Sequence, residues 1–344
     1  MGLHDEVSHP FGDHVPAPGE ATRVAEGVWW IRMPLPFALD HINLWLLEDG
    51  DGWTIVDTGY GNDATRALWE RHFATTLGGR PVKKVVVTHY HPDHVGCAAF
   101  LVERTGAPFH MTAAEYLSAH AAHDDAAGFD REATLDLFAR NGLDTSSIAQ
   151  GARKANGYLR GVPAVPRSYR RMMHGERLAI GGREWQVITV FGHAPEQATL
   201  WCESLGVLIS GDQVLPRITS NVGVWGSQPD SDPLALFLDS LGRYAELPGD
   251  ALVLPSHDRV FRGLHPRIAQ LHEHHAHRLE RLLEGCERPI TAYEAIPLLF
   301  KRALDEHQMR FAMGEAIAHL HWLEKRGKLV RSDDARGVRR FARA

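Results

Sequence analysis

At 344 residues and 38.3 kDa, with 44% hydrophobic and 23% charged residues, the chain is too long for a disulfide mini-protein and too apolar for wholesale disorder. Its 37 Lys and Arg against 43 Asp and Glu leave a formal charge of −6, which supplies no global attraction for nucleic acid or anionic lipid. The three cysteines, Cys97, Cys202 and Cys286, show no C-x-x-C spacing, so neither a disulfide framework nor a thiolate zinc cluster is indicated.

The opening twenty residues lack a basic segment followed by an apolar one, and no later run approaches about 18 apolar residues, so the expectation is a cytoplasmic protein without membrane association. Residues 1–26 read as an N-terminal lead. From Gly27 to Asp57 the segments VWWIRMPL, INLWLLE and WTIVD, separated by Pro, Asp and Gly, predict a meander of short strands. A helix is expected over Asp63 to Leu77, stopped by Gly78, Gly79 and Pro81, followed by a buried strand over Val82 to Val87. That strand runs into Thr88-His89-Tyr90-His91-Pro92-Asp93-His94, and a helix is predicted over Val95 to Thr105.

Residues 112–169 are Ala-rich with helical spacing and read as a helical insertion covering part of the molecule. Strands are expected again at Glu184 to Val190, Thr199 to Cys202, Val207 to Ser210 and Ala251 to Leu254, with a helix over Pro233 to Glu246. Three of these strands lead into chemically interesting residues: Gly192-His193, Gly211-Asp212 and Ser256-His257. Groups at strand ends converge readily, because the sheet fixes where each loop begins. A long helix over Pro266 to Glu284 stops at Gly285, and a boundary is placed near Arg288. Residues 288–344 then read as a small winged-helix-like module: a helix capped by Thr291, a second around Lys301 to His307, a third from Gly314 to Arg326, and a ribbon over Lys328 to Ala344 turning at Ser332 to Asp334.

The chain contains 22 histidines, and the motif His89-x-His91-x-Asp93-His94 is where their placement carries chemistry. Imidazole and carboxylate are the donors that borderline divalent metals accept, and a loop at a strand end can turn all four inward. Together with His193, Asp212 and His257 they make seven candidate ligands, more than one tetrahedral zinc uses. Two divalent ions are therefore expected, with His89, His91 and His193 on the first, Asp93, His94 and His257 on the second, and Asp212 bridging. Zinc is the default, and manganese or iron suit the same nitrogen and oxygen donors. A bridging hydroxide, oriented by Asp93 and Asp212, would be the nucleophile.

The HxHxDH loop, the Val56-Asp57-Thr58-Gly59 turn, and the later Gly192-His193, Gly211-Asp212 and Ser256-His257 pairs resemble the metallo-β-lactamase superfamily over roughly Val28 to Leu282. The resemblance implies an αββα sandwich, two mixed sheets packed face to face with helices outside, and a catalytic domain over residues 27–287. It also implies that Asp57 is buried beside the metals. Antibiotic-degrading members usually place a cysteine where Asp212 stands, so the chain is more similar to the hydrolytic branch that includes glyoxalase II. The segment from Gly211 to Asn221 and the C-terminal module are similar to the lactamase-β-2-like group, whose members include thioester hydrolases and an endoribonuclease.

Tyr90, between two ligands, and Asn221 and Trp225, after the bridging aspartate, are candidates for substrate contact; Tyr90 serves equally well as a packing residue. Cys97 reads as a core residue, and the run His272-x-His274-His275-x-His277 as a solvated helical face. Arg160, Arg167, Arg170 and Arg171 read as a solvated charge run. Residues 289–344 carry 11 Lys and Arg against 7 Asp and Glu, a mild basic excess, but the apolar character of Gly314, Ala316, Ala318, Leu320 and Trp322 suits packing or homodimerisation better than a nucleic-acid groove. The expected activity is hydrolysis of a small-molecule acyl thioester or related ester. The alternatives are a metal-dependent phosphodiesterase or ribonuclease, and a non-catalytic metal-binding regulator of nucleic acid.

Overall fold

The computed structural model describes residues 7–145 and 156–344. A seven-stranded sheet takes its strands in chain order: β1 (Ala21–Ala25), β2 (Val28–Pro34), β3 (His41–Asp49), β4 (Gly52–Val56), β5 (Val82–Val86), β6 (Phe109–Thr112) and β7 (Arg170–Met172). It is antiparallel from β1 to β4 and parallel from β4 to β7. The second sheet, ordered β12-β11-β10-β9-β8, holds β8 (Arg177–Ile180), β9 (Arg183–Val190), β10 (Gln197–Cys202), β11 (Val207–Gly211) and β12 (Leu252–Pro255), and only its β11–β12 pair is parallel.

Side-chain alternation along these strands builds three apolar layers, as period-2 patterning requires. Trp30, Trp45, Leu47, Val56 and Val86 of the first sheet meet Val187, Leu200, Ile209 and Leu254 of the second in the central layer. On the other face of the first sheet, Ile31, Met33, Leu44 and Leu46 pack with Trp69, Leu101 and Cys97 from the helices Asp63–Ala74 and Ala98–Thr105 and the turn before the latter. On the other face of the second, Ile188, Val190, Leu208 and Val253 pack under the helices Pro233–Leu241 and Leu264–Gly285. The result is the αββα sandwich expected from the sequence.

Several elements differ from the sequence reading. Strand β1 lies inside the segment read as a lead, and β6, β7 and β8 lie in or beside the segment read as an all-helical insertion. They are short strands of three to five residues, too brief for period-2 alternation to show. The insertion does contain helices Ala113–His123 and Arg131–Arg140; residues 146–155 of it lie outside the described residues. Thr291 and Glu294 form the capping box that starts helix Ala292–Leu299. The second and third C-terminal helices, by contrast, are one helix, Glu306–Lys325, started by a capping box of Asp305 and Gln308, with Gly314 inside it. A two-stranded ribbon, β13 (Leu329–Asp333) and β14 (Arg339–Arg343), follows. Among the described residues no helix is long and apolar enough to cross a membrane.

Residues 312–321 of this C-terminal helix are buried without interruption, so the helix is enclosed on every side. Ala312, Ala316, Ile317 and Leu320 join the same apolar layer as Leu208 and Val253, so the C-terminal module shares a core with the second sheet. One histidine of the long helix enters that core, contrary to the solvated-face reading. His275 falls on the buried stripe Leu264, Leu271, His275, Leu279 and Leu282, is fully buried, and its Nδ1 lies 3.1 Å from His319 Nε2.

Burial holds both rings neutral, lowering His275 to a pKa of about 2 and His319 to about 3. An unfolded chain binds protons at these rings near pH 6.5 while the folded chain does not, so the stability they allow is present above about pH 6.5 and lost as pH falls. The thermal midpoint should therefore drop between pH 7 and pH 5. His275→Phe should flatten that fall by up to about 1.4 kcal/mol per pH unit below about pH 6. Identical slopes in a melting series of the two proteins would contradict the neutral pair.

Candidate metal centre

Strand β4 ends at Val56, and Asp57 turns the chain with φ +62°, a conformation in which a non-glycine residue is strained. The strain puts its buried carboxylate against the loop after β5. Asp57 accepts hydrogen bonds from Thr88 N at 2.8 Å, Thr88 Oγ1 at 2.9 Å and His94 Nδ1 at 2.8 Å. Pro92 opens the short helix Pro92–Val95, which carries Asp93 and His94, and His94's carbonyl is held by Thr58 N at 2.8 Å and Thr58 Oγ1 at 2.6 Å. The motif is thus clamped to the β4 turn at both side chain and backbone.

The second sheet brings the remaining donors from its own strand ends. Gly192, at φ +100°, lets the chain pass tightly beneath helix Pro233–Leu241, since a Cβ there would stand 2.5 Å from Phe237 Cβ and from Pro233 O. His193 follows directly. Asp212 follows β11, and His257 follows β12 by one residue.

All seven residues meet in one cluster. His89 Nε2 lies 3.0 Å from His91 Nδ1 and 3.3 Å from His193 Nε2. Asp212 Oδ1 lies 3.3 Å from His94 Nε2, while its Oδ2 lies 3.4 Å from His193 Nε2 and 3.5 Å from His257 Nε2. Asp93 Oδ2 is 3.5 Å from His257 Nε2 and 3.7 Å from His94 Nε2. Three overlapping trios, His89 with His91 and His193, His89 with His94 and Asp212, and Asp93 with His94 and His257, each converge tightly enough to hold a cation.

The outer nitrogens explain why the inner ones are available. His94 Nδ1 faces a carboxylate, His193 Nδ1 faces Asn221 O at 2.8 Å, and His257 Nδ1 faces His41 O at 2.9 Å. Each partner can only accept, so each Nδ1 carries a proton and donates it, which aims Nε2 into the cluster as the nitrogen that could ligate a cation. The interior is not satisfied by the protein itself: His94 Nε2 and Asp212 Oδ1 are buried without a hydrogen-bond partner.

Charge says the same. Burial drives His89 and His91 well below the ordinary imidazole range, so both are neutral donors. Burial opposes the charged form of His94 as well, but Asp57, Asp93 and Asp212 override it and hold its pKa well above the usual value. His257 is raised against burial by Asp212 and Asp93 in the same way. Burial alone would raise Asp212, yet the facing His257 and His94 hold it well below the carboxylate range. The carboxylates thus draw positive charge onto the facing rings of His94 and His257, a charge that a divalent cation on this donor set would replace.

The other sequence candidates sit around this cluster. The Tyr90 ring packs 4.9 Å from His91 and 6.3 Å from Tyr158, whose hydroxyl donates to Tyr90 O at 2.5 Å. Asn221 reaches the site through its main-chain carbonyl. Trp225 packs against Phe138 at 6.5 Å and Phe311 at 6.1 Å on the side of the loop facing the helices. Cys97 is a core residue whose thiol burial pushes up to about 12.

Sequence reasoning missed Glu115. It is fully buried and accepts from Tyr90 N at 2.9 Å and Glu196 N at 2.6 Å, tying the HxHxDH loop to the His193 loop, and burial raises its pKa to about 8. Thr112-x-x-Glu115 has the form of a helix capping box, but Thr112 Oγ1 instead donates to Glu196 O at 2.7 Å. The pattern hid the residue's longer reach.

Residues 38–257 match the family model described as the metallo-beta-lactamase superfamily, and residues 279–344 match a model described as metallo-beta-lactamase-like, C-terminal domain. The chain belongs to the metallo-β-lactamase superfamily. A β-lactamase domain protein from Burkholderia ambifaria is 48% identical and superposes with a TM-score of 0.93 over 99% of both chains. A metallo-β-lactamase family protein from Thermus thermophilus is 30% identical with a TM-score of 0.79, covering 94% of this chain and 100% of that one. The Bacillus subtilis (strain 168) protein named "Probable metallo-hydrolase YqjP" is 28% identical over 309 residues, 87% of this chain and 92% of its own.

Asp57 offers a direct check on the outer bonds of this metallo-β-lactamase centre. Asp57→Asn keeps the shape but replaces one accepting oxygen with an amide donor, so it cannot serve Thr88 and His94 together. The variant should fold and lose roughly 10- to 100-fold in zinc affinity, the effect typical of removing a ligand's supporting partner. Chelator competition measures this; unchanged affinity would remove Asp57 from the centre's support.

Proposed function

We infer that the protein is a metal-dependent hydrolase holding two divalent cations and cleaving an acyl thioester or related ester. The observation that carries the metal reading is a cage of five imidazoles and two carboxylates, four of the seven buried and three half-buried, held from outside at three of its rings and unsatisfied within. The overlap of its donor trios supports two ions, with His89, His91 and His193 around one, Asp93, His94 and His257 around the other, and Asp212 between them. The metallo-hydrolase name of the Bacillus relative agrees with a metal-dependent hydrolase. Zinc remains the default, with manganese or iron suited to the same donors.

When bound, the cations supply Lewis acidity for a carbonyl oxygen and lower the pKa of a water toward neutrality. The chain's own part is geometric. Asp212 and Asp93 orient the attacking water by accepting its hydrogen bond, and Asp57 keeps His94 in the tautomer that leaves Nε2 free. The leaving group is where the surroundings discriminate. Burial raises both Tyr90 and Tyr158, making them poor acids, and Glu115 is occupied by two backbone amides. A thiol, with a pKa of about 8.5, departs as thiolate without a proton, whereas an amine or simple alkoxide needs an acid. This favours a thioester.

The C-terminal module supports a small-molecule substrate over RNA. Residues 312–321 of its long helix are enclosed, and Arg326, Arg331 and Arg340 pair with Asp232 at 2.9 Å, Asp230 at 2.7 Å and Asp334 at 3.2 Å. A duplex-reading helix must instead be exposed to a groove.

Metal analysis of the purified protein, followed by assay against a thioester, a lactone, a β-lactam and single-stranded RNA, tests the reading. Thioester turnover should exceed the rest, vanish with chelation and return on adding zinc. Asp212→Ala should lower it by at least about 1,000-fold, the scale of losing a group that acts on the reacting atoms. Full turnover in that variant removes the bridging role, and cleavage of RNA alone overturns the acyl reading.

A further inference from the structure

Between Asp212 and Gly226 the chain has no regular secondary structure, so its backbone groups must find partners elsewhere. Two helices supply several of those partners, and a third closes against the end of the stretch. From the long helix, Arg267 inserts a buried guanidinium that donates to Leu215 O at 2.6 Å, Ile218 O at 2.8 Å and Arg217 O at 3.2 Å. On the inner side, Ser220 Oγ donates to the carbonyl of Asp212, and Asn221 O receives the His193 Nδ1 proton. On the outer side, Val224 N donates to Gly314 O at 3.0 Å, in the middle of the C-terminal helix. Gly226 lies so close to helix Arg131–Arg140 that a Cβ on it would meet Ala133 C at 2.7 Å.

One stretch of six residues therefore links Asp212 and His193 to the C-terminal helix. The contact at Gly314 sets the depth. A Cβ there would stand 3.3 Å from Val224 O, tight against a backbone atom, and in ordinary contact with Gly223 Cα at 3.4 Å and Trp225 Cη2 at 3.5 Å, so a side chain at 314 would press the loop outward by a few tenths of an ångström. Trp225 is pinned on the same helix by Phe311, its ring edge-on at 6.1 Å, and by Arg310 at 5.9 Å. The helix interior is otherwise a poor place for glycine, since alanine is the better helix former.

We propose that the C-terminal helix is a positioning element of the metal centre, in which Gly314 sets the seat of the 220–225 loop and, through Asn221 O, the orientation of His193. This rests on the metal-binding reading of the cluster. The helix makes no contact with the reacting atoms; it acts by fixing the acceptor that holds a ligand's outer nitrogen.

Gly314→Ala separates this role from simple packing. If Gly314 only filled space in a helix, alanine would leave metal binding unchanged. As a positioning residue, it should give a metal-free protein that melts no lower than wild type, yet binds Zn²⁺ measurably more weakly by chelator competition, short of the roughly 10- to 100-fold loss that follows deletion of a ligand's outer partner. Co²⁺ bound in its place should show a shifted visible absorption spectrum. Phe311→Ala, which loosens Trp225 from a 39% exposed position, supplies a second variant expected to fold and to weaken Zn²⁺ binding in the same direction. Wild-type affinity and spectrum in both variants overturn the positioning role. Failure of the wild-type chain itself to bind Zn²⁺ or Co²⁺ overturns instead the metal reading beneath it.

Discussion

Five imidazoles and two carboxylates crowded into a largely buried place would destabilise the fold unless their polar groups were compensated, and outer hydrogen bonds supply part of that compensation. Three ring nitrogens are tied to Asp57, Asn221 O and His41 O. These bonds fix tautomer and ring orientation at once, so the inner nitrogens converge with lone pairs facing one another. The rest is left to a cation. The same preorganisation that crowds these donors together makes holding a cation among them favourable.

The sandwich exists around this point. The loops of the cluster begin at the ends of β4, β5, β9, β11 and β12, whose last residues are buried, so each origin is held by the apolar layers. Loops alone would not hold such geometry. The cross-ties between them, Asp57 to the HxHxDH loop, Glu115 between that loop and the His193 loop, and Arg267 along the stretch after Asp212, each satisfy backbone groups that would otherwise be unpaired in the interior. The C-terminal module belongs to this scheme because it shares a core with the second sheet and touches the loop that faces His193.

What was legible in the chain follows how far each signal reaches. The HxHxDH spacing places four donors on one short loop, so local geometry alone brings them together. His193, Asp212 and His257 were legible because each follows a buried strand that shows clearly as an apolar run. Glu115 and Arg267 were not, since one resembles a helix cap and the other a solvated helix residue until the partners they reach are known. The brief strands β6, β7 and β8 fell below the length at which alternation shows, and Gly314 read as the start of a helix when it is the middle of one.

By itself the sequence determined most of the longer strands and helices, the donor types and the order in which they enter, because residue chemistry and short-range periodicity depend on neighbours along the chain. The tertiary structure decided which backbone carbonyl holds each outer nitrogen, which histidine of the long helix enters the core, and that the C-terminal helix seats a loop of the metal centre. Those are contacts between residues tens to hundreds of positions apart, such as His257 with His41 and Gly314 with Val224. Such pairings depend on how the layers pack, which no local pattern encodes.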